Sequence, residues 1–214
     1  MSPMTPALTL HGMTGSGNCY KPALLMRQLG IPFEWREVDI LAGGSRTPEF
    51  LARNPNGKVP LLEVTDGGQT RALAESNAML CYLADGTPYL PEDRWPRAKV
   101  MEWLFFEQYS HEPYVATVRF WVAWLNKGEE WKDKIAETMK KGYAALGVME
   151  HQLAKTPFLA GADYTIADIA LYAYTHVAPD GGYSLERYPA VRRWLGHVER
   201  QPGFAPMAEA ARAA

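Results

Sequence analysis

The chain has 214 residues, of which 47% are hydrophobic, which is enough for one large or two modest globular domains. Its 22 Lys and Arg nearly balance 24 Asp and Glu, so no basic field favours nucleic-acid binding. The opening MSPMTPALTL lacks the charged and apolar parts of a signal peptide, and no run of about 18 apolar residues predicts a membrane span. We therefore expect a soluble cytoplasmic enzyme that binds neither nucleic acid nor membrane.

The first part of the chain predicts alternating strands and helices. Apolar and polar residues alternate over 7–11, and apolar residues recur at helical spacing over 19–29, where Gly30 ends the pattern. The other predicted elements are a strand over 33–40, a short helix over 48–52, a two-stranded hairpin from 59 to about 72, and a helix over 74–84. This βαβαββα order permits a central sheet of mixed strand directions with helices on its faces.

The remainder of the chain predicts helices after a linker, 85–96, that is rich in Gly and Pro. The predicted helical segments are 99–125 with a kink at Pro113, 131–153, one starting at the capping box Thr165-Ile166-Ala167-Asp168, 189–201, and 205–211. We thus predict an α/β domain over 1–84 and an all-helical domain over 97–214. Within the capping box, Asp168 is expected to be structural.

The stretch from Gly57 to Ser76 combines two features that suit an extended, anionic ligand. If the Val59-Pro60 bond is cis, the backbone N–H and C=O of Val59 turn outward, where a ligand could pair with them like an added strand. Glu75 and Ser76 stand at a helix start, whose unpaired N–H groups and partial positive charge suit a carboxylate. The alternative is that Glu75 and Ser76 only cap this helix.

Two motifs carry a resemblance to a known family. GKVPLL at 57–62, followed by ESNAMLCYL at 75–83, resembles the glutathione-binding domain of cytosolic glutathione S-transferases. The helical second half, with its capping box, resembles their C-terminal domain. The resemblance implies a thioredoxin-like fold for the α/β domain, glutathione as co-substrate, no metal, a small electrophile as second substrate, and a cytoplasmic homodimer.

The resemblance also assigns candidate contacts to the two ends of glutathione. Ser76 would bind the glutamyl carboxylate through its hydroxyl and backbone N–H, and Glu75 would face the ammonium group. Lys58 and Arg46 are candidates for the glycyl carboxylate, with solvated surface charge as the alternative for both. The predicted binding set is Arg46, Lys58, Val59, Pro60, Glu75 and Ser76.

Ser16-Gly17-Asn18-Cys19 lies between the first strand and the first helix, where thioredoxin-like proteins carry C-x-x-C. Because Ser16 replaces the first cysteine, the reactive thiolate would have to come from glutathione. The Ser16 hydroxyl could donate to that thiolate, with Asn18 as a second donor and the helix N-terminus adding positive potential. Ser16 is similar in position to the catalytic Ser of the delta class, and Ser16 with Asn18 resembles the Thr and Asn of the nu class. The alternative for both is a loop and N-cap role, and Cys19 is expected to be packing.

The polar stretch before Pro113 provides candidates for the electrophile pocket, namely Phe106, Tyr109 and His111, expected to line a cleft between the domains; solvated surface is the alternative. The favoured function is a glutathione transferase that activates bound glutathione as a thiolate for attack on small electrophiles. Two alternatives stay open. One is a glutathione-dependent disulfide or peroxide reductase, and the other is a non-catalytic glutathione-binding stress or partner protein.

Overall fold

The computed structural model describes residues 6–211, so 1–5 and 212–214 of the predicted domains lie outside it. The chain divides into two compact units. The first unit contains the residues up to Asp85 together with those from Pro202 onward, and the second unit contains Gly86–Gln201. Among the described helices, none is long and apolar enough to cross a membrane.

The first unit is built on a mixed β-sheet. Its elements up to Asp85 are β1 (Ala7–Gly12), α1 (Gly17–Gln28), β2 (Glu34–Glu37), a 3₁₀ turn (Gly44–Arg46), α2 (Pro48–Arg53), β3 (Leu61–Asp66), β4 (Gln69–Ala74) and α3 (Ser76–Ala84). In the described chain the strand order is β2-β1-β3-β4, with β1 parallel to β2 and the other two pairings antiparallel. The predicted βαβαββα order and thioredoxin-like fold are confirmed.

Apolar pairing in the centre of the sheet sets its register. Leu10 of β1 lies opposite Leu62 of β3, and both side chains are fully buried. A slip of either strand by one residue would turn its leucine to the other face of the sheet, so burial fixes the pairing. Helices α1 and α3 pack against each other, which brings the first turn of α3 close to the first turns of α1.

Two predicted elements of the first unit differ from the sequence expectation. The strand expected over 33–40 is shorter because the Asp39 carboxylate accepts hydrogen bonds from the next turn, including the Leu41 N–H at 2.9 Å. This side-chain turn ends the strand. Helix α1 starts earlier than expected, so Pro22 lies inside it, where its ring nitrogen has no hydrogen to donate to the Asn18 carbonyl.

The second unit is helical, as predicted. Its elements are α4 (Arg94–Phe106), a π-helical turn (Glu107–His111), α5 (Glu112–Arg119), a second π-helical turn (Phe120–Trp124), α6 (Lys132–Leu153), α7 (Ile166–Thr175), a 3₁₀ turn (Ala178–Gly181) and α8 (Pro189–Glu199). Helix α4 begins inside the predicted linker. Between the end of α3 and the start of α4 at Arg94, only 85–93 lie outside regular elements.

The disturbance expected at Pro113 takes the form of a π-helical turn. Pro113 has no N–H for the carbonyl of Tyr109, so the regular α-helical bond cannot form there. The N–H of Glu112 instead bonds to the carbonyl of Glu107, five residues back. Such π-turns recur at functional sites in helices.

The capping box at the start of α7 is present, and its acid has more partners than the box alone provides. The fully buried Asp168 carboxylate accepts from the N–H of Thr165 at 3.0 Å and of Leu159 at 2.9 Å. It also accepts from the indole Nε1 of Trp194 at 2.9 Å. Burial raises the pKa of Asp168 to about 6, although all of these hydrogen bonds favour the ionised form. Asp168 therefore ties α7, α8 and the preceding loop together.

The C-terminal segment belongs to the first unit rather than to the helical one. Its short helix α9 (Met207–Ala210) follows a loop in which the Ala205 carbonyl accepts from the Tyr20 hydroxyl at 2.7 Å. Arg27 donates to the Glu209 carbonyl at 3.1 Å. Both donors lie on α1, so for 202–211 the sequence assignment to the helical domain differs from the observed packing.

Candidate functional site

Ser16 caps the N-terminus of α1. Its backbone is extended, and its Oγ accepts a long hydrogen bond from the N–H of Cys19, 3.4 Å away. The side chain is half-buried, and its hydroxyl hydrogen has no acceptor among the described residues. The N-cap role is therefore present, and the same hydroxyl keeps a hydrogen that it can donate to a bound group.

Cys19 is a packed thiol in the first turn of α1. It is fully buried, and the N–H of Met13 donates to its Sγ at 3.4 Å. Burial raises the pKa of Cys19 to about 11, so the thiol stays protonated at neutral pH. A protonated, buried thiol is a poor nucleophile, which agrees with the packing role expected from the sequence.

A small hollow borders the loop that carries Ser16. Its lining includes Met13, Trp35 of β2, Tyr20 of α1, and Met207 of α9. Met207 lies almost 200 residues away from this loop along the chain, so no pattern in the sequence predicts that the two are neighbours. The apolar lining gives the Ser16 loop a partly desolvated surrounding.

The start of α3 has an unusual backbone. Glu75 adopts φ 67° and ψ 112°, a region that residues other than glycine rarely occupy, and its side chain makes no capping hydrogen bond. The next residue, Ser76, is buried. Strained backbone of this kind clusters at ligand sites. The simple capping alternative does not describe Glu75, because its carboxylate does not bond to the helix start.

Lys21 is the residue at this site that sequence analysis missed. It is fully buried in α1, and its Nζ donates to Asn18 Oδ1 at 2.8 Å. The same Nζ donates to Ser76 Oγ at 3.3 Å and to Asn77 Oδ1 at 3.4 Å, both in the first turn of α3. The available signal was its place in a helix whose neighbouring positions, Tyr20 and Pro22, are buried.

The Val59-Pro60 peptide bond is cis, as predicted. Within the described residues, no hydrogen bond uses the backbone of Val59, so its N–H and C=O are available to a ligand. The strand proper starts two residues after Val59, at Leu61.

The two cations predicted for the glycyl end lie on one loop region. Arg46 is exposed and donates to the Asn56 carbonyl at 3.3 Å. Gly57 has φ 61°, a left-handed conformation that favours glycine, and the Arg46 guanidinium lies close to it. Lys58 follows directly; its side chain is exposed, and its carbonyl accepts from Asn54 Nδ2 at 2.7 Å. The arrangement places two positive charges near Val59.

A second ionic group links the sheet to α2. Glu63 of β3 accepts from His11 of β1 and from Arg53 of α2, both at 2.8 Å. Burial alone would raise the pKa of Glu63, but the hydrogen bonds from Arg53 and His11 lower it overall. His11 of β1 is therefore part of this ionic group.

The predicted pocket residues lie in different environments of the second unit. Tyr109 is 84% exposed, whereas the Phe106 ring is half-buried and packs edge-on against Trp103, with centroids 5.1 Å apart. His111 is fully buried, and its Nε2 lies 3.0 Å from the Thr175 hydroxyl. That burial removes the His111 ring from any surface, contrary to the expectation that it lines a cleft.

Comparison with known proteins shows which family the chain belongs to. The family profile described as Glutathione S-transferase, N-terminal domain matches residues 10–89, and the one described as Glutathione S-transferase, C-terminal domain matches 101–202. Glutathione S-transferase 3 of Zea mays is 31% identical over 207 residues, which cover 92% of this chain and 91% of the maize protein. The chain belongs to the glutathione S-transferase family.

Three other proteins are similar over most of the chain. The disulfide-bond oxidoreductase YfcG of Escherichia coli K12 is 29% identical over 86% of this chain and 87% of its own. A crystal structure of a glutathione S-transferase from Pseudomonas fluorescens Pf-5 is 50% identical with a TM-score of 0.90, covering 94% and 98% of the two chains. Another family member from that organism, solved with two glutathione bound, is 26% identical with a TM-score of 0.83, covering 97% and 93%.

Membership of the glutathione S-transferase family confirms the resemblance that the sequence motifs carry. In the first unit the structure brings Ser16, Asn18 and Ser76 to the paired N-terminal ends of α1 and α3, since Ser76 Oγ donates to Asn18 Oδ1 at 3.3 Å. It brings Arg46 close to the residues that precede Lys58. The buried lysine between α1 and α3 is the addition to the predicted set.

Proposed function

We propose that this family member is a glutathione transferase that binds glutathione on its first unit, holds it as a thiolate, and transfers it to small electrophiles. The observation that carries the proposal is the joining of two helix N-termini through the Ser76 to Asn18 hydrogen bond, one next to Ser16 and the other at Ser76. Two such ends, each with oriented N–H groups, suit a ligand that is anionic at two points. The Pseudomonas fluorescens relative with two glutathione bound supports the choice of ligand.

The glutamyl end of glutathione is assigned to the start of α3. Its carboxylate would accept from the N–H groups and the hydroxyl of Ser76, while the exposed Glu75 carboxylate would face its ammonium group. The cysteinyl backbone would pair with the N–H and C=O of Val59, which no hydrogen bond among the described residues uses. The glycyl carboxylate would lie near Arg46 and Lys58.

The thiol is assigned to Ser16. Its hydroxyl would donate to the sulfur, and the N-terminus of α1 would add positive potential. Lowering the thiol pKa by about 2 units corresponds to about 2.7 kcal/mol of preference for the anion. One charge-assisted hydrogen bond of about 1.5–3 kcal/mol supplies most of this. Asn18 is proposed as a second donor to the same sulfur.

The acceptor is proposed to be a small, soft electrophile, with Phe106 and Tyr109 as candidate contacts. We also propose a cytoplasmic homodimer, as the family resemblance implies. The large exposed aromatic side chains of Trp95 and Phe105, 75% and 68% exposed, support an interface between two copies. If sedimentation at micromolar concentration gives only the monomer, the proposal of a homodimer is wrong.

A glutathione-dependent disulfide reductase is the second candidate. Two observations favour it: the similarity to the Escherichia coli oxidoreductase, and the presence of both Ser16 and Asn18 in the loop before α1 and its first turn. Because Cys19 is buried with a raised pKa, such a reaction would have to use the glutathione sulfur rather than a protein thiol. A non-catalytic glutathione-binding role is the outcome if neither reaction is found.

One set of measurements separates these functions. Glutathione binding is measured by calorimetric titration, and turnover is measured with a chlorinated nitroaromatic acceptor beside a small disulfide. Transferase function predicts thiol-dependent turnover of the chlorinated acceptor. Binding should weaken by about 1–3 kcal/mol in Ser76→Ala, because an ion-paired group loses a donor. Unchanged glutathione affinity in Ser76→Ala would show that the glutamyl end does not bind at the start of α3. Turnover of the disulfide without turnover of the chlorinated acceptor would show that the protein is a reductase and not a transferase.

A further inference from the structure

A buried cation lies directly behind the start of α3. The Lys21 ammonium is fully buried, and three of its contacts are with the neutral oxygens of Asn18, Ser76 and Asn77 at 2.8, 3.3 and 3.4 Å. Lysine is almost never fully buried unless hydrogen bonds compensate it. Two of the three oxygens belong to the first turn of α3, so the positive charge is directed at that turn.

The hydrogen-bond directions show how this charge can act on a ligand. An ammonium group only donates, so Ser76 Oγ must accept from Lys21. The single hydrogen of Ser76 is then directed to Asn18 Oδ1, 3.3 Å away. Asn18 Oδ1 also accepts from Lys21, so the three groups form a closed triangle. Only the Ser76 hydrogen can leave this triangle without breaking a contact of the lysine.

We propose that Lys21 is a positioning residue that makes the start of α3 selective for a carboxylate, acting through the Ser76 hydroxyl. The inference rests on the proposed function, since the carboxylate is the glutamyl end of glutathione. Donation from the ammonium polarises the Ser76 hydroxyl, so that its hydrogen turns from Asn18 to the incoming anion and binds it more strongly. Because the charge is buried, salt in the solvent screens it only weakly.

This role gives Lys21 no contact with the ligand sulfur, so it separates binding from chemistry. Loss of the charge should raise KM and Kd for glutathione and leave kcat at saturating glutathione unchanged. It should matter only for a ligand that carries the glutamyl carboxylate. A lysine that merely holds α1 against α3 would instead weaken every ligand alike, together with the stability of the fold.

The test compares Lys21→Met with wild type by calorimetric titration. One ligand is glutathione, and the other is glutathione whose glutamyl α-carboxylate is converted to the amide. For glutathione we expect Kd to rise about tenfold, or about 1.4 kcal/mol, and for the amide less than about twofold. In a Ser76→Ala background the same lysine change should have almost no effect, because the coupling runs through that hydroxyl.

Three further variants keep the test decisive. Lys140→Met removes the same charge from an exposed position of α6 and should leave both Kd values unchanged. Lys21→Gln removes the charge but keeps a donor, and it replaces Lys21→Met if the latter does not fold. Lys21→Arg should retain most of the preference for carboxylate over amide.

The outcomes separate this inference from the function beneath it. Equal loss of affinity for glutathione and its amide, or additive effects of Lys21 and Ser76 substitutions, would overturn the inference alone. Wild-type affinity for glutathione in a folded Lys21→Met protein would do the same. Absence of glutathione binding by wild type would overturn both the inference and the proposed function.

Discussion

Replacing Ser16 with alanine removes one hydroxyl from the N-cap of α1 and should raise the apparent pKa of the bound glutathione thiol. In the structure the Ser16 Oγ accepts from the Cys19 N–H, and its hydrogen finds no acceptor among the described residues. The thiolate would be that acceptor. The N–H groups of Gly17 and Asn18 stay at the helix start in the variant, so part of the stabilisation remains.

The expected size of the effect follows from these contacts. A hydrogen bond to a charged acceptor contributes about 1.5–3 kcal/mol, so its loss raises the thiol pKa by about 1–2 units. The helix end left behind supplies about 0.3–1 kcal/mol. A more basic thiolate is also more nucleophilic, with a Brønsted slope of about 0.4–0.5. At a pH below both pKa values the rate should therefore fall about 3–16-fold, less than the tenfold to hundredfold fall that ionisation alone would give.

The assay is the pH profile of kcat/KM with a chlorinated nitroaromatic acceptor, together with the ultraviolet absorbance of the bound thiolate. Thr14→Ala is the matched control, because it deletes a hydroxyl of the same loop whose hydrogen already bonds to Glu37 at 2.8 Å. Its profile should match wild type. Since alanine is a weaker N-cap, both variants are compared at a temperature where each is folded.

Cys19→Ser completes the comparison and decides between the two reactions. It should leave the pH profile unchanged, because the Cys19 thiol is buried and its pKa is raised to about 11. An inactive Cys19→Ser with a normal Ser16→Ala would show that a mixed disulfide forms on the protein, and the transferase mechanism would be wrong. Normal profiles in both would assign the stabilisation to the backbone N–H groups of Gly17 and Asn18.

Three further changes test other parts of the structure. Asp168→Ala should destabilise the fold by about 3–5 kcal/mol in denaturant unfolding, because buried donors including the Trp194 indole lose their acceptor, and selective loss of activity at full stability would contradict this. Glu63→Gln should cost about 1–2 kcal/mol at neutral pH. Since the folded-state pKa of Glu63 is lowered, the difference from wild type should shrink as the pH falls below the usual carboxyl range, and a constant difference would argue against the ionic group. Asn18→Ala should raise the thiol pKa less than Ser16→Ala does. It should also weaken glutathione binding, because the Asn18 side-chain oxygen accepts from Ser76. If only the thiol pKa or only the affinity changes, Asn18 acts on one end of the ligand alone.

The parts of the fold that sequence predicted are those set by local rules. Strand alternation, the hairpin and the capping box at Thr165 each depend on residues that are close in the chain, and each is present. The cis bond at Pro60 was inferred from a motif rather than from geometry, and it too is present. Element ends were less well predicted, as Asp39 shows, because a single side-chain turn shortens a strand.

Contacts between distant residues explain what the sequence did not provide. The capping box alone suggested that Asp168 satisfies the helix start, but Trp194 donates to it from 26 residues away. The C-terminal segment was assigned to the helical domain, yet Tyr20 and Arg27 hold it on α1 from more than 180 residues away. The periodicity of apolar residues predicts which face of a helix is buried, but it does not predict which element packs against that face.

The buried lysine shows why a site can be incomplete when it is predicted from motifs. Motifs identified the groups that would touch glutathione, namely Ser16 and Ser76, because those stand at element ends where the backbone exposes them. Lys21 stands one turn inside α1, where a charged residue is normally assigned to the solvent. Its ammonium instead meets Asn18 and Ser76, which belong to the two ends of the proposed ligand site. Contacts of this kind join residues that are far apart in the chain, so no motif of neighbouring residues reports them.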